Sequence, residues 1–202
     1  MGIGILQQLT GINTLLQFNT VIFNQSGLSG GASAVLGSVT IGAVNFVVTI
    51  IGLALIDRVG RRPLLILGTA GATVALAFLA LLHLLTAPSV FQGYATLIGV
   101  IVFIIFYAIG PGIVVWLAIS EVLPLAIRAK GMAIALFANS LVSAALAAVF
   151  MDLVSVAGYA GAFGLLAVAA FLYLLIALFP LPETKGRKLE DIESHFLGEP
   201  RG

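Results

Sequence analysis

Six apolar stretches run along the chain, at approximately residues 3–25, 34–56, 63–86, 94–119, 128–151 and 159–179. Each is long enough, at about 1.5 Å per residue, to cross a bilayer as a helix. The first is interrupted by Gln7, Gln8, Thr10, Asn13, Thr14 and Gln17. If that stretch is one continuous helix, Gln7, Thr10, Asn13, Thr14 and Gln17 share an arc roughly 120° wide, and Gln8 falls off it. Unpaired amides in hydrocarbon are strongly disfavoured, so partners or water must meet this stripe. Two readings fit. The groups can glue helix to helix, or they can line a pathway for a neutral, hydroxyl-rich ligand, because amides both donate and accept hydrogen bonds. The number of polar groups on one face favours the pathway.

The other stretches carry fewer signals. The second has Ser38, Gly42, Asn45, Thr49 and Gly52 at spacings of three and four. That stripe predicts close helix packing, with Asn45 as its one bulky polar member. The third is apolar apart from small residues and His83, which is expected at the outer interface. In the fourth, Gly110-Pro111-Gly112 predicts a break or kink, because proline removes an intrahelical hydrogen bond and glycine lowers the cost of bending. Trp116, the single tryptophan, follows the break. It fits either an interfacial aromatic belt or a cavity wall. The fifth holds Asn139, Ser140 and Ser143, and the sixth reads as support. Stretches one and four are each the first of three. Interrupted segments at corresponding positions of two three-helix units point to a transporter's binding site.

The connections decide orientation. All nine Lys and Arg residues lie in or directly beside the second and fourth connections or in the C-terminal tail, and none in the first, third or fifth connection. The positive-inside rule then places both termini of this chain in the cytoplasm. With 202 residues, 61% hydrophobic and 8% charged, the chain is a multi-pass protein of the cell membrane rather than a soluble domain. A net charge of +1 with no basic patch excludes a nucleic-acid partner. The absence of cysteine removes disulfide and thiolate chemistry. No metal-ligand set, acid pair or nucleophile–base constellation suggests an enzyme or a cofactor. The expected division is a transmembrane bundle, 1–181, and a cytoplasmic tail, 182–202.

Four ordered motifs carry a family resemblance. Gln7-Gln8-Leu9-Thr10-Gly11-Ile12-Asn13 resembles the seventh helix of the sugar porters of the major facilitator superfamily. Asp57-Arg58-Val59-Gly60-Arg61-Arg62 is similar to their loop between helices eight and nine. Gly110-Pro111-Gly112 with Trp116, Glu121, Pro124 and Arg128 resembles helix ten and its cytoplasmic exit. Pro182-Glu183-Thr184-Lys185-Gly186-Arg187 matches the signature after helix twelve. The resemblance implies an all-α membrane protein whose six transmembrane helices form a 3+3 inverted repeat, one half of a major facilitator fold.

It also implies roles. Gln7, Gln8, Asn13, Asn45, Trp116 and Asn139 match sugar-contacting positions. Gly110 and Gly112 match the flexible part of helix ten, and Gln17 and Phe18 stand at the outer gate, where many members have paired tyrosines. Arg58, Arg61, Arg62, Arg128 and Lys130 either fix topology alone, or Asp57 and Glu121 pair with Arg61, Arg62 and Arg128 in a cytoplasmic charge latch that holds the outward-facing state. The implied function is transport of a monosaccharide, a hexose or pentose, by alternating access, facilitated or proton-coupled. The partners are the sugar, the lipid bilayer and an N-terminal six-helix half, in the same chain or a second subunit. Rival readings are an inactive fragment, a homodimeric half-transporter and a six-helix channel. Ala108, Ile113, Val115 and Ser140 depart from the family pattern and leave the choice of sugar open.

Overall fold

The computed structural model describes residues 2–25, 31–125 and 127–178. It is helical throughout: α1 (Gly2–Leu9), α2 (Ile12–Gln25), α3 (Gly31–Val59), α4 (Arg61–Leu85), α5 (Val90–Ile109), α6 (Pro111–Val122) and α7 (Arg128–Leu178). The C-terminal tail lies outside the described residues, so the boundary expected near residue 181 does too.

Three features turn seven helices into the six expected spans. The first stretch is not one helix: it breaks between Leu9 and Ile12, where Gly11 takes φ +82°. Side chains seldom adopt that conformation, and a Cβ there would also lie 2.7 Å from a Leu166 methyl. The fourth stretch breaks at Gly110, which separates α5 from α6 and places Pro111 at the first position of α6, where its missing N–H costs nothing. The fifth and sixth stretches run together as α7, and Gly158, at φ 67° and ψ 176°, divides that element into arms 128–157 and 159–178. The spans Val35–Ile56, Arg61–Leu85, Val90–Ser120 and Arg128–Leu178 are long and apolar enough to cross a membrane. The halves α1 and α2 are each shorter than a bilayer and reach that length only as a broken pair.

Helix α4 is the hub of the bundle, packed on α5 and α7, while α3 leans on α2 and α5, and α1 on α7. Two apolar clusters hold these elements. One gathers Leu15, Phe23, Leu76, Phe103, Phe150 and Phe163 among others. The second, nearer the predicted cytoplasmic end, gathers Ile56, Leu64, Leu65, Val114 and Tyr173. Exposed Val35, Leu36, Val39, Phe46, Val47 and Ile50 on α3 suit a hydrocarbon surrounding.

Polar side chains tie helices together where apolar contact ends. On α2 and α3, Asn19 Oδ1 accepts from Ser38 Oγ at 2.7 Å and from Thr20 Oγ1 at 3.0 Å. The small-residue stripe of α3 therefore splits. Ser38 is glue, Gly52 packs so closely that a Cβ would meet Ile113 at 2.6 Å, and Gly42 faces open space. His83 is not a bare interfacial residue. Its Nε2 lies 3.1 Å from Thr96 Oγ1, and its ring rests against Tyr159 and Phe163 with centroids 5.3 Å away.

Candidate functional site

A cavity of about 340 Å³ opens between α1, α2, α3, α5, α6 and the first arm of α7. Gln7, Gln8, Asn13, Asn45, Trp116 and Asn139, the six side chains expected to contact a ligand, all line it. The tryptophan is half-buried in the cavity wall. Gly112 also lines it, directly after the break.

The break at Gly11 explains how Gln8 joins this set. On a continuous helix Gln8 points away from Asn13. Because α1 ends at Leu9 and α2 restarts at Ile12 in a different phase, the two amides meet instead, and Asn13 Nδ2 donates to Gln8 Oε1 at 3.1 Å. Gln8 Nε2 in turn donates to Asn139 Oδ1 at 2.8 Å, and Asn139 Nδ2 to the Gly4 carbonyl at 2.9 Å. Asn13 Nδ2 also reaches Ser143 Oγ at 3.0 Å. Gln7 crosses to the other broken helix, where its Nε2 donates to the Pro111 carbonyl at 3.0 Å. The two interrupted segments are thus joined through one side chain at their interruptions.

The site is neutral: amides, hydroxyls and rings line it, with no charged side chain among the lining residues. Thr49 and Tyr107 belong to the wall as well, and Ile12, Leu16, Ala108 and Ile113 supply apolar surface. Sequence reasoning treated Thr49 only as part of a packing stripe and passed over Tyr107. The signal was the position of Tyr107 just under one turn before Gly110, on the side that the break exposes. A mixed wall of this kind suits a ligand with hydroxyls on its edges and an apolar face.

The gating residues separate. Gln17 is exposed on α2, whereas Phe18 is half-buried and stacks on Phe150 with ring centroids 5.8 Å apart. Gly110 and Gly112 sit at the break between α5 and α6. Of the expected latch, the side chains of Asp57 and Glu121 lie outside the described residues, and Arg61 is half-buried at the start of α4. Arg62 Nη2 donates to the Leu178 carbonyl at 2.8 Å, at the end of α7, and Arg128 Nε to the Leu123 carbonyl at 3.2 Å. Both cations therefore satisfy carbonyls at helix ends, where positive charge is favoured. Among the described residues no group of three His, Cys, Asp or Glu side chains is placed to hold a metal ion.

Comparison with known proteins gives one consistent answer. Residues 1–196 match the family described as sugar (and other) transporters. The chain is 36% identical over 194 residues to a probable metabolite transport protein, CsbC, of Bacillus subtilis, covering 96% of this chain and 42% of that one. It is 34% identical to the major myo-inositol transporter IolT of the same organism, covering 97% of this chain and 41% of that one. Among solved structures, the proton:xylose symporter XylE of the major facilitator superfamily, bound to 6-bromo-6-deoxy-D-glucose, superposes with a TM-score of 0.82 at 27% identity. That match covers 96% of this chain and 41% of the symporter. The chain thus spans about two fifths of the length of these relatives.

Proposed function

We propose a function from one established premise: the chain belongs to the sugar transporter family, as one half of a major facilitator fold. The family is one of membrane transporters and not of enzymes. Our reading is that the chain forms one side of the path by which a monosaccharide crosses the membrane through alternating access. Gln7, Gln8, Asn13, Asn45 and Asn139 receive the sugar hydroxyls, and Trp116 covers the apolar face of the ring. The observation that carries this is the convergence of all six side chains on a single neutral cavity. A sugar leaving water must exchange its hydrogen bonds for equivalent ones, and uncharged amides do this without attracting counter-ions.

The two broken helices supply the moving parts in this reading. Helix α6 hangs from α5 at Gly110, and Gln7 ties α1 to the same point. Movement of α6 would release that bond and open or close the cavity toward the cytoplasm. Gln17 and Phe18 serve the outer side. Asp57, Arg61, Arg62, Glu121 and Arg128 bias the outward-facing state from the cytoplasmic end, where both termini of this chain are placed by the distribution of Lys and Arg.

Because the relatives are more than twice as long, a second six-helix half, in the same chain or a second subunit, completes the cavity wall. The test is uptake into liposomes of labelled D-glucose, D-xylose, D-galactose and myo-inositol by the full-length protein, with and without a proton gradient. Saturable uptake of a monosaccharide is expected. Uptake of none, with the protein folded and inserted, would overturn the reading.

A further inference from the structure

The amides of the cavity have a direction. The Gly4 carbonyl can only accept a hydrogen bond, so the Asn139 atom facing it at 2.9 Å is the amide nitrogen. That turns Asn139 Oδ1 toward Gln8, where it accepts from Nε2 at 2.8 Å. Gln8 Oε1 is then left to accept from Asn13 Nδ2 at 3.1 Å, and the other hydrogen of that nitrogen goes to Ser143 Oγ at 3.0 Å. Three amides thus run head to tail from a backbone carbonyl to the exposed Asn13, whose Oδ1 has no hydrogen-bond partner among the described residues. None of the three can rotate alone, because each flip would set donor against donor or acceptor against acceptor. Such chains also polarise one another and strengthen.

Gln7 repeats the device on a second anchor. Its nitrogen is committed to the Pro111 carbonyl, and its Oε1 is buried without a partner in a side chain that is 2% exposed. A buried acceptor without a donor is disfavoured, and because this oxygen is closed to solvent, a ligand reaches it only once the surrounding helices move.

Resting on the transport reading above, we infer that this half of the cavity presents an acceptor to its ligand at Asn13 Oδ1, oriented from the Gly4 carbonyl, and uncovers a second at Gln7 Oε1, oriented by the Pro111 carbonyl, as the helices move, and so selects sugars by hydroxyls placed to donate at these points. Asn139 is also a positioning residue in this scheme: beyond its own place in the cavity wall, it orients Gln8 and, through Gln8, Asn13. Ser143 has the same role at the free end, since it occupies the Asn13 hydrogen that would otherwise turn toward the ligand.

Fluorine tests the polarity, because a C–F group accepts weakly and cannot donate. The full-length protein in liposomes is assayed with whichever parent sugar it takes up, and with each monodeoxy and monodeoxyfluoro analogue as a competitor. At the hydroxyls that meet Asn13 and Gln7, the fluoro analogue should lose roughly tenfold in apparent affinity, as much as the deoxy analogue does. Asn139→Ala cuts the relay from its anchor and lets the Asn13 amide turn, so the ratio of fluoro to parent constants should fall toward one at the Asn13 position. It should be unchanged at the Gln7 position, which gives an internal control for folding. Ser143→Ala should move the same ratio in the same direction. Full tolerance of fluorine at every position where the deoxy sugar fails would overturn the inference and leave transport standing, as would an unchanged ratio in both variants. Binding of no sugar at all would overturn the transport reading itself.

Discussion

Gly68 of α4 and Gly110 at the break between α5 and α6 lie backbone to backbone: a Cβ on Gly68 would fall 2.6 Å from the Gly110 Cα, and one on Gly110 would fall 2.7 Å from the Gly68 Cα. The same two added carbons would also meet the Phe106 and Leu64 carbonyls at 2.6 Å. Those neighbours are main chain and cannot rotate aside. The broken helix is thus seated against the hub of the bundle through two residues without side chains, close to the point that Gln7 reaches from the other side.

Gly68→Ala should therefore destabilise the protein by about 1–3 kcal/mol through overpacking, with α6 displaced. Gly42→Ala, where a Cβ meets nothing within 4 Å, should leave stability unchanged or slightly raised. Melting of the two variants in detergent checks this pair, and equal midpoints would contradict it.

Trp116 is the single tryptophan and lines the cavity. Intrinsic emission should therefore shift on titration with a transported sugar, and Trp116→Phe should remove the contribution of this half to the shift. A sugar that is taken up without changing the emission would place its ring elsewhere.

Asn139 is 6% exposed and sits in the middle of the amide relay, whereas Asn13 is exposed at its end. Asn139→Ala leaves buried partners unsatisfied and should raise the apparent sugar constant by about tenfold. Asn13→Ala removes the acceptor at the end of the relay and should raise it by a similar factor. Concentration-dependent uptake measures both, and unchanged constants in the two variants would remove these residues from the site.

This chain has no cysteine, so a single one introduced here, with any in the second half replaced, reports accessibility without background. Neutralising the latch by Glu121→Gln should increase labelling at the cytoplasmic mouth of the cavity and decrease it at the outer mouth. Individual exposed pairs contribute only about 0–1 kcal/mol. A few of them acting together suffice to tilt two nearly equal states. Identical labelling patterns would reduce these charges to topology signals.

Much of this molecule was legible in the sequence. The spans and the break at Gly110 follow from hydropathy, proline and glycine, which act locally. The cavity residues were legible too, through family motifs. What the helical wheel could not supply was the phase change at Gly11. A wheel assumes an unbroken helix, and so it excluded Gln8 from the face it occupies. The Gly68–Gly110 contact was hidden for another reason: a glycine in an apolar run looks like any other until the backbone it approaches is known. Tyr107 was missed because an aromatic in such a run reads as core, and its place on the cavity depends on where the neighbouring helix stops.

The corner at Gly158 is of a different kind from the crowded glycines. Nothing lies within 4 Å of a Cβ placed there, yet φ 67° with ψ 176° is a region open almost only to glycine. The chain makes one step there in the mirror image of an extended residue, in open surroundings. Chirality alone bars substitution. A D-alanine introduced by semisynthesis should fit where L-alanine does not, and the reversal of direction into the last span is thereby set by the handedness of a single residue.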